Sequence, residues 1–265
     1  ALLSPWEIQN QKALDIMKSV ARGTNYWLRM KPCLSYLSLD GIDGRVIVPH
    51  SDNLNIQMNK IAIEILAYLE GWQEGYPVGV LIDKRSEKNA NYNWEFNSMK
   101  MMMRVHANGS LWIVNVPHSL NRWNHYFMIL NGSWLGGYLD GELKAEINDV
   151  PGSDTNTVDL HVGETVAGAY RVNGLIALVR IYDYRVFEYY SEEELVRHNF
   201  SNVMNPIKEG LSLWLNFVEG GESTAYDRSG NGNHGTIYGG ATWGYEVYPK
   251  YANSMLLEFR PKVIA

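Results

Sequence analysis

Cysteine is all but missing from this chain: Cys33 is the one thiol in 265 residues. That excludes an internal disulfide framework and any multi-cysteine zinc centre, and it leaves the redox compartment open. Long apolar runs are missing as well. None approaches the ~20 residues that a membrane-spanning helix needs, and the opening residues do not read as a secretory leader. Basic patches are absent too. Lys and Arg number 23 against 29 Asp and Glu, giving a net charge of -6. They are dispersed along the chain, which argues against a nucleic-acid partner, because tracking a phosphate backbone takes a cationic stripe. The sequence also lacks H-E-x-x-H, G-x-S-x-G, a phosphate-binding glycine loop followed by Lys and Ser or Thr, and a local Cys/His pair.

What is present points to strands. Seventeen Tyr, 9 Trp and 24 Gly in a composition that is 46% hydrophobic and 20% charged favour extended segments and tight turns. The length suits one large all-β domain. Three triplets, at Asn108, Asn131 and Asn199, are glycosylation sequons and speak for an extracellular setting.

Ser4-Pro5-Trp6-Glu7 carries a helix cap, a proline for the first helical position, and a glutamate to bond back to the cap. Ala13, Ile16, Met17 and Val20 follow at helical spacing, so an amphipathic helix is expected up to Arg22, ahead of Gly23. From Leu34 the period becomes two. Leu34–Leu39, the Asp40-Gly41 and Asp43-Gly44 turn, and Arg45–Val48 read as strand, turn, strand. Ile61, Ile63, Ile65, Ala67 and Leu69 alternate with a second, mixed set, which predicts a long strand, with helix as the alternative.

Further strands are expected at 78–83, 94–96, 101–106, 111–116, 123–130, 134–139, 158–162, 175–182, 211–217, 235–238 and 255–259. Asn108-Gly109 and Asp140-Gly141 mark hairpins, where a two-residue turn needs positive φ. Ser191-Glu192-Glu193-Glu194 opens a second short helix. Alternating strands joined by turns, with little helix, predict an all-β, antiparallel two-sheet β-sandwich with a short N-terminal helical appendage.

Several stretches together resemble the laminin-G-like branch of the concanavalin A-like lectin/glucanase superfamily. They are Asp227-Arg-Ser-Gly-Asn-Gly-Asn-His-Gly-Thr236 with Ala241-Thr-Trp243, Leu39-Asp-Gly-Ile-Asp43 with Val48-Pro-His-Ser51, and Trp123-Asn-His125. Asp140-Gly141, His161-Val-Gly163, and Gly174–Tyr182 followed by Ser191–Leu195 complete the set. The resemblance covers about residues 34–259 and implies a concanavalin A-like jelly roll. It divides the chain into residues 1–33, a helix and connector, and 34–265, the sandwich. The family's opening pair, Gly210–Phe217 and the Asp227 loop, follows its closing strand and helix here, as in a circular permutation. Leu34–Leu39 and Ser254–Phe259 then resemble two copies of one strand. Side-by-side pairing within one sheet is the favoured arrangement, and strand exchange with a neighbouring subunit is the other.

Glucanases of that superfamily carry E-x-D-x-E or E-x-D-x-x-E on one strand, and no such triplet occurs here. Glu142 and Glu146, and Glu192 to Glu194, read as solvated charge. The seven histidines, at 50, 106, 118, 125, 161, 198 and 234, are scattered as structural residues are; His125 most resembles the family's sheet histidine. Asp227, Ser229, Asn231 and Asn233 present oxygens at alternate positions, as in the first half of a calcium loop, with Asp40 or Asp43 as outside ligands. Tyr238 stands where the bidentate Glu of such a loop belongs, so a metal-free Asx-turn network is the preferred reading. Trp72, Tyr76, Tyr92 and Trp94 are the aromatic candidates for stacking on sugar rings. The leading functional expectation is a non-catalytic structural, adhesion or display protein of an extracellular or virion surface, self-associating or meeting other surface proteins. A carbohydrate-binding lectin-like module, with glycans as partners, is the alternative; a glycoside hydrolase ranks third.

Overall fold

The computed structural model describes residues 2–3, 26–85, 90–107, 109–152, 155–246 and 254–261. Strands are numbered in chain order. One sheet, the back sheet, runs β1 (Leu2–Leu3), β18 (Ser254–Pro261), β2 (Tyr26–Asp40), β13 (Val172–Tyr182), β4 (Lys60–Trp72), β9 (Trp123–Asn131), β10 (Trp134–Leu139), β11 (Glu142–Ile147). On the same sheet, β14 (Leu211–Leu215) also pairs with β13, and β17 (Thr242–Glu246) with β2. The front sheet runs β15 (Thr224–Ala225), β16 (Gly235–Tyr238), β3 (Arg45–Val48), β12 (Leu160–Val162), β5 (Gly79–Arg85), β6 (Ala90–Phe96), β7 (Lys100–Ala107), β8 (Ser110–Pro117). Every pairing is antiparallel. The two-sheet sandwich is the architecture expected from the period-two patterning.

Alternation explains the core. Ile61, Ile63, Ile65, Ala67 and Leu69 of β4 point between the sheets, where they join Tyr92, Trp94, Phe96, Met101, Met103 and Val105 of the front sheet. Truncating such a buried aromatic to alanine costs about 3–5 kcal/mol. The opposite face of β4 is also covered. The helix α1 (Glu192–Ser201) packs there, with Leu195 and Val196 against Ala62, Phe127 and Ile129. Burial on both faces is why β4 reads as a nearly continuous apolar run, the source of its helix-or-strand ambiguity. α1 begins as expected: Ser191 Oγ accepts from the Glu194 amide, and the Glu194 carboxylate accepts from the Ser191 amide at 2.9 Å. The Asp140-Gly141 hairpin has φ of 52° and 85° at its two central residues.

The ends of the chain meet on β2. Residues 34–38 pair with β17 inside the sandwich, and residues 26–33 continue outward to pair with β18, from Cys33↔Ser254 to Tyr26↔Pro261. The two similar strand segments therefore lie on one sheet of one chain, and the expected boundary at 33/34 falls inside a strand. The helix expected at 4–22 lies outside the described residues. Four strands were not expected: β1, β11, β15 and β17. Along β11, Glu142, Lys144 and Glu146 are exposed, so the reading of solvated charge holds while the segment is nonetheless a strand.

Candidate functional site

The outward face of the front sheet carries a belt of ion pairs. Register places His161, Asp83, Asn93 and Arg104 in one row across β12, β5, β6 and β7. Arg85 grips Asp83 through Nε at 2.8 Å and Nη2 at 3.2 Å, and its Nη1 lies 3.7 Å from Glu95. Arg104 pairs with the same Glu95. At the other end, Glu164 holds Arg45 and Arg171, each at 3.1 Å, and His161 at 3.2 Å. Burial works against the Glu164 charge, but His161, Arg171 and Arg45 together keep its carboxyl below the usual range. None of these contacts is local in sequence except Arg85 with Asp83 and His161 with Glu164.

Aromatic rings rim this face. Tyr76, on the β4–β5 loop, is 37% exposed and meets Tyr170 edge-on at 4.6 Å. Trp72 stands beside them: its indole N–H donates to the Tyr76 carbonyl at 2.7 Å and its ring meets Phe96 at 5.8 Å. Tyr170 has φ 58°, a left-handed conformation that a bulky side chain rarely adopts. Its carbonyl accepts from the Val80 amide, and the Thr165 amide donates to the carbonyl of Ala169, the residue just before it, which locks the loop in that shape. Of the four aromatic residues expected to bind a ligand, the structure brings Trp72 and Tyr76 together at the surface. It removes the other two. Tyr92 and Trp94 are 0% exposed in the inter-sheet core, and the Tyr92 hydroxyl donates to the Leu54 carbonyl. Strand parity decides this: Tyr92, Trp94 and Phe96 alternate inward, and Asn93 and Glu95 outward.

The Asp227 loop is tied to itself and to β14. Asp227 Oδ1 accepts from the Trp214 and Ser229 amides, each at 2.9 Å, and Oδ2 from Ser229 Oγ and the Asn233 amide. Asn231 and Asn233 turn their amide nitrogens to the Ser212 carbonyl. Asp40 and Asp43 are at the other end of β16. Asp40 Oδ1 caps the turn through the amides of Ile42, Asp43 and Gly44, and Asp43 Oδ1 accepts from Gly240 at 2.6 Å. Burial disfavours the Asp40 charge, and those amides more than compensate, lowering its pKa. The six residues named for calcium thus form two separate turns. Among the described residues, no group of three or more His, Cys, Asp or Glu could hold a metal ion.

The family model described as the concanavalin A-like lectin/glucanases superfamily matches residues 40–188. The chain belongs to that superfamily. Among solved structures, a Bacteroides ovatus protein provisionally named carbohydrate binding superposes on this superfamily domain with a TM-score of 0.59 at 15% identity. The match covers 82% of this chain and 61% of that one. Domains LG4-5 of the mouse laminin alpha1 chain give 0.45 at 13% identity, covering 56% of this chain and 40% of that one. The heptameric SAP-like pentraxin of Limulus polyphemus gives 0.42 at 12%, covering 64% and 86%. The chain spans less than two thirds of the Bacteroides and laminin structures. No curated protein sequence matches it.

In this lectin/glucanase-superfamily domain the sheet histidine, His125, is structural. It is buried under α1 with its Nε2 2.8 Å from Glu64 Oε1, a carboxylate also held by Arg180 and Asn199. On the front face Asp83, Glu95 and Glu164 each accept from an arginine. Burial raises the pKa of Glu219, but Glu219 sits in the β14–β15 loop with Arg228, away from that face. Among the described residues, no helix is long and apolar enough to cross a membrane. The sequon at Asn199 is closed, since that side chain is buried on the sheet-facing side of α1.

Proposed function

We propose that this chain is a non-catalytic carbohydrate-binding module of an extracellular protein, serving adhesion or surface display, with its ligand seated on the front sheet against Tyr76 and Tyr170. The observation that carries the proposal is the strained tyrosine. Holding a bulky residue at positive φ costs on the order of 1–3 kcal/mol, and such strain gathers at ligand sites. Here it sets a ring against an exposed partner at the mouth of a polar face, the pairing of apolar body and hydrogen-bonding groups that sugars require. The superfamily and the Bacteroides ovatus likeness support the same reading.

The test is a glycan array on the intact chain, followed by calorimetry with the strongest binder. Tyr76→Ala and Tyr170→Ala are expected to weaken binding at least tenfold each while leaving the circular dichroism spectrum unchanged. Absence of binding across the array would refute the proposal. The order of segments supports circular permutation as well: residues 211–246, which carry the family's opening motif, come late yet fill places beside β13, β3 and β2.

A further inference from the structure

The outward row of the front sheet holds a donor and an acceptor that find no mate. Asn93 and Arg104 are directly opposite each other on β6 and β7. Asn93 is 0% exposed, and its amide nitrogen donates to Glu95 Oε1 at 3.1 Å. A carboxylate can only accept, so that bond fixes the amide orientation and turns Oδ1 away as an acceptor. Neither Asn93 Oδ1 nor Arg104 Nε has a hydrogen-bond partner among the described residues. Leaving a buried polar atom unpaired is costly, so two of them on residues paired across adjacent strands call for an occupant.

The charges around the pair narrow its chemistry. Arg85 lies over this row, bridging Asp83 and Glu95, and Arg104 is spent on Glu95. An anionic group would place oxygen against Asn93 Oδ1 and the Glu95 carboxylate, with the neighbouring guanidinium charges already compensated. A cationic group has only donors, and would face the Arg104 N–H. A hydroxyl satisfies both at once, donating to Asn93 Oδ1 and accepting from Arg104 Nε.

Resting on the carbohydrate-binding reading above, we infer that Asn93 and Arg104 form a hydroxyl subsite which selects neutral glycans over sialylated, uronate-bearing or sulfated ones. The ring stacked at Tyr76 and Tyr170 supplies affinity, and the Asn93–Arg104 pair supplies selectivity. Arg85 is the side chain that must shift to admit the hydroxyl, since it covers the row.

Two variants and one array test this. The array carries neutral gluco-, galacto- and manno-oligosaccharides beside sialylated, uronate and sulfated glycans. The wild-type chain is expected to prefer a neutral glycan. Arg104→Lys keeps the charge against Glu95 but removes Nε, and Asn93→Ala removes the acceptor; each is expected to weaken binding of that glycan about tenfold with melting temperature checked in parallel. Preference for acidic glycans overturns the inference. So does unchanged affinity in both variants, which would mark the pair as the seat of a buried water only; if Tyr76→Ala still abolishes binding, the carbohydrate-binding reading survives that outcome. No binding by the wild-type chain to any glycan removes both.

Discussion

His125 Nε2 and Arg180 Nη1 converge on one oxygen of Glu64, at 2.8 and 2.9 Å, in a space from which water is excluded by α1. The second oxygen accepts from Asn199, a residue of α1, at 2.7 Å. A carboxylate on β4 thereby fixes the helix to the sheet and compensates a guanidinium that has no access to solvent.

Glu64→Gln removes the charge and leaves Arg180 buried without its counter-ion. A loss of about 3–5 kcal/mol in unfolding free energy is expected, measured in urea at neutral pH. Burial opposes the Glu64 charge, but Arg180, His125 and Asn199 outweigh it and lower its pKa. The sign follows: its stabilisation is complete above the unfolded carboxylate pKa and is lost as pH falls through the lower folded value. The acid limb of stability against pH should be shallower in Glu64→Gln than in the wild type; parallel limbs would contradict this.

Lys84 gives a slope of the same sign in the alkaline range, because its folded pKa is lowered too. Its side chain points into the end of the core, donating to the Val158 carbonyl at 2.5 Å and meeting His50 Nδ1 at 3.1 Å. Burial pulls its pKa from 10.5 down to about 8, against the opposing pull of Asp159 and Asp52. The unfolded chain then binds more protons between those values, so stability contributed by this group rises from pH 8 to 10.5. Lys84→Met should abolish that rise in thermal melts; an unchanged slope would assign it elsewhere.

Tyr170→Asn separates stability from binding. Asparagine tolerates positive φ, so the melting temperature should hold or increase, by up to about 1 kcal/mol in stability terms, while glycan affinity falls about tenfold. A parallel fall in both would show that the ring is needed for packing.

Asp227→Ala orphans the amides of Trp214, Ser229 and Asn233 and should cost about 2–4 kcal/mol by chemical denaturation. Millimolar calcium is expected to leave the wild-type melting temperature unmoved, because both carboxylate oxygens are engaged in the Asx-turn network; a rise would instead show a bound ion.

Strand existence was legible because the period-two pattern survives wherever one face meets the core, as in Met101, Met103 and Val105. Edge strands were less so. Along β11 Leu143, Ala145 and Ile147 alternate with Glu142, Lys144 and Glu146, but the strand is short and mostly exposed, so its charges dominated the reading; β17 mixes exposed and half-buried side chains without alternation. The proposed site was half legible. All four aromatic candidates were named by residue type: Tyr76 lies in the β4–β5 loop and Trp72 closes β4, whereas the core buries Tyr92 and Trp94. Their alternation with Asn91, Asn93 and Glu95 held the missing signal: where aromatic and polar residues alternate, the polar set marks the outward face. Tyr170 gave no such cue, since its conformation is imposed by loop contacts, and the pairing of Arg45 with Glu164 depends on strands far apart in sequence.

β2 carries a mechanical consequence. Its outer half pairs residue by residue with β18 over Tyr26–Cys33, while its inner half is clamped between β13 and β17. Tension applied at the Pro261 end and directed away from the sandwich would load all eight of those pairs in shear rather than unzip them singly. The same continuous strand would carry that load into the centre of the back sheet. A tether at this end would therefore hold against pulling along the ribbon and yield readily to a sideways peel.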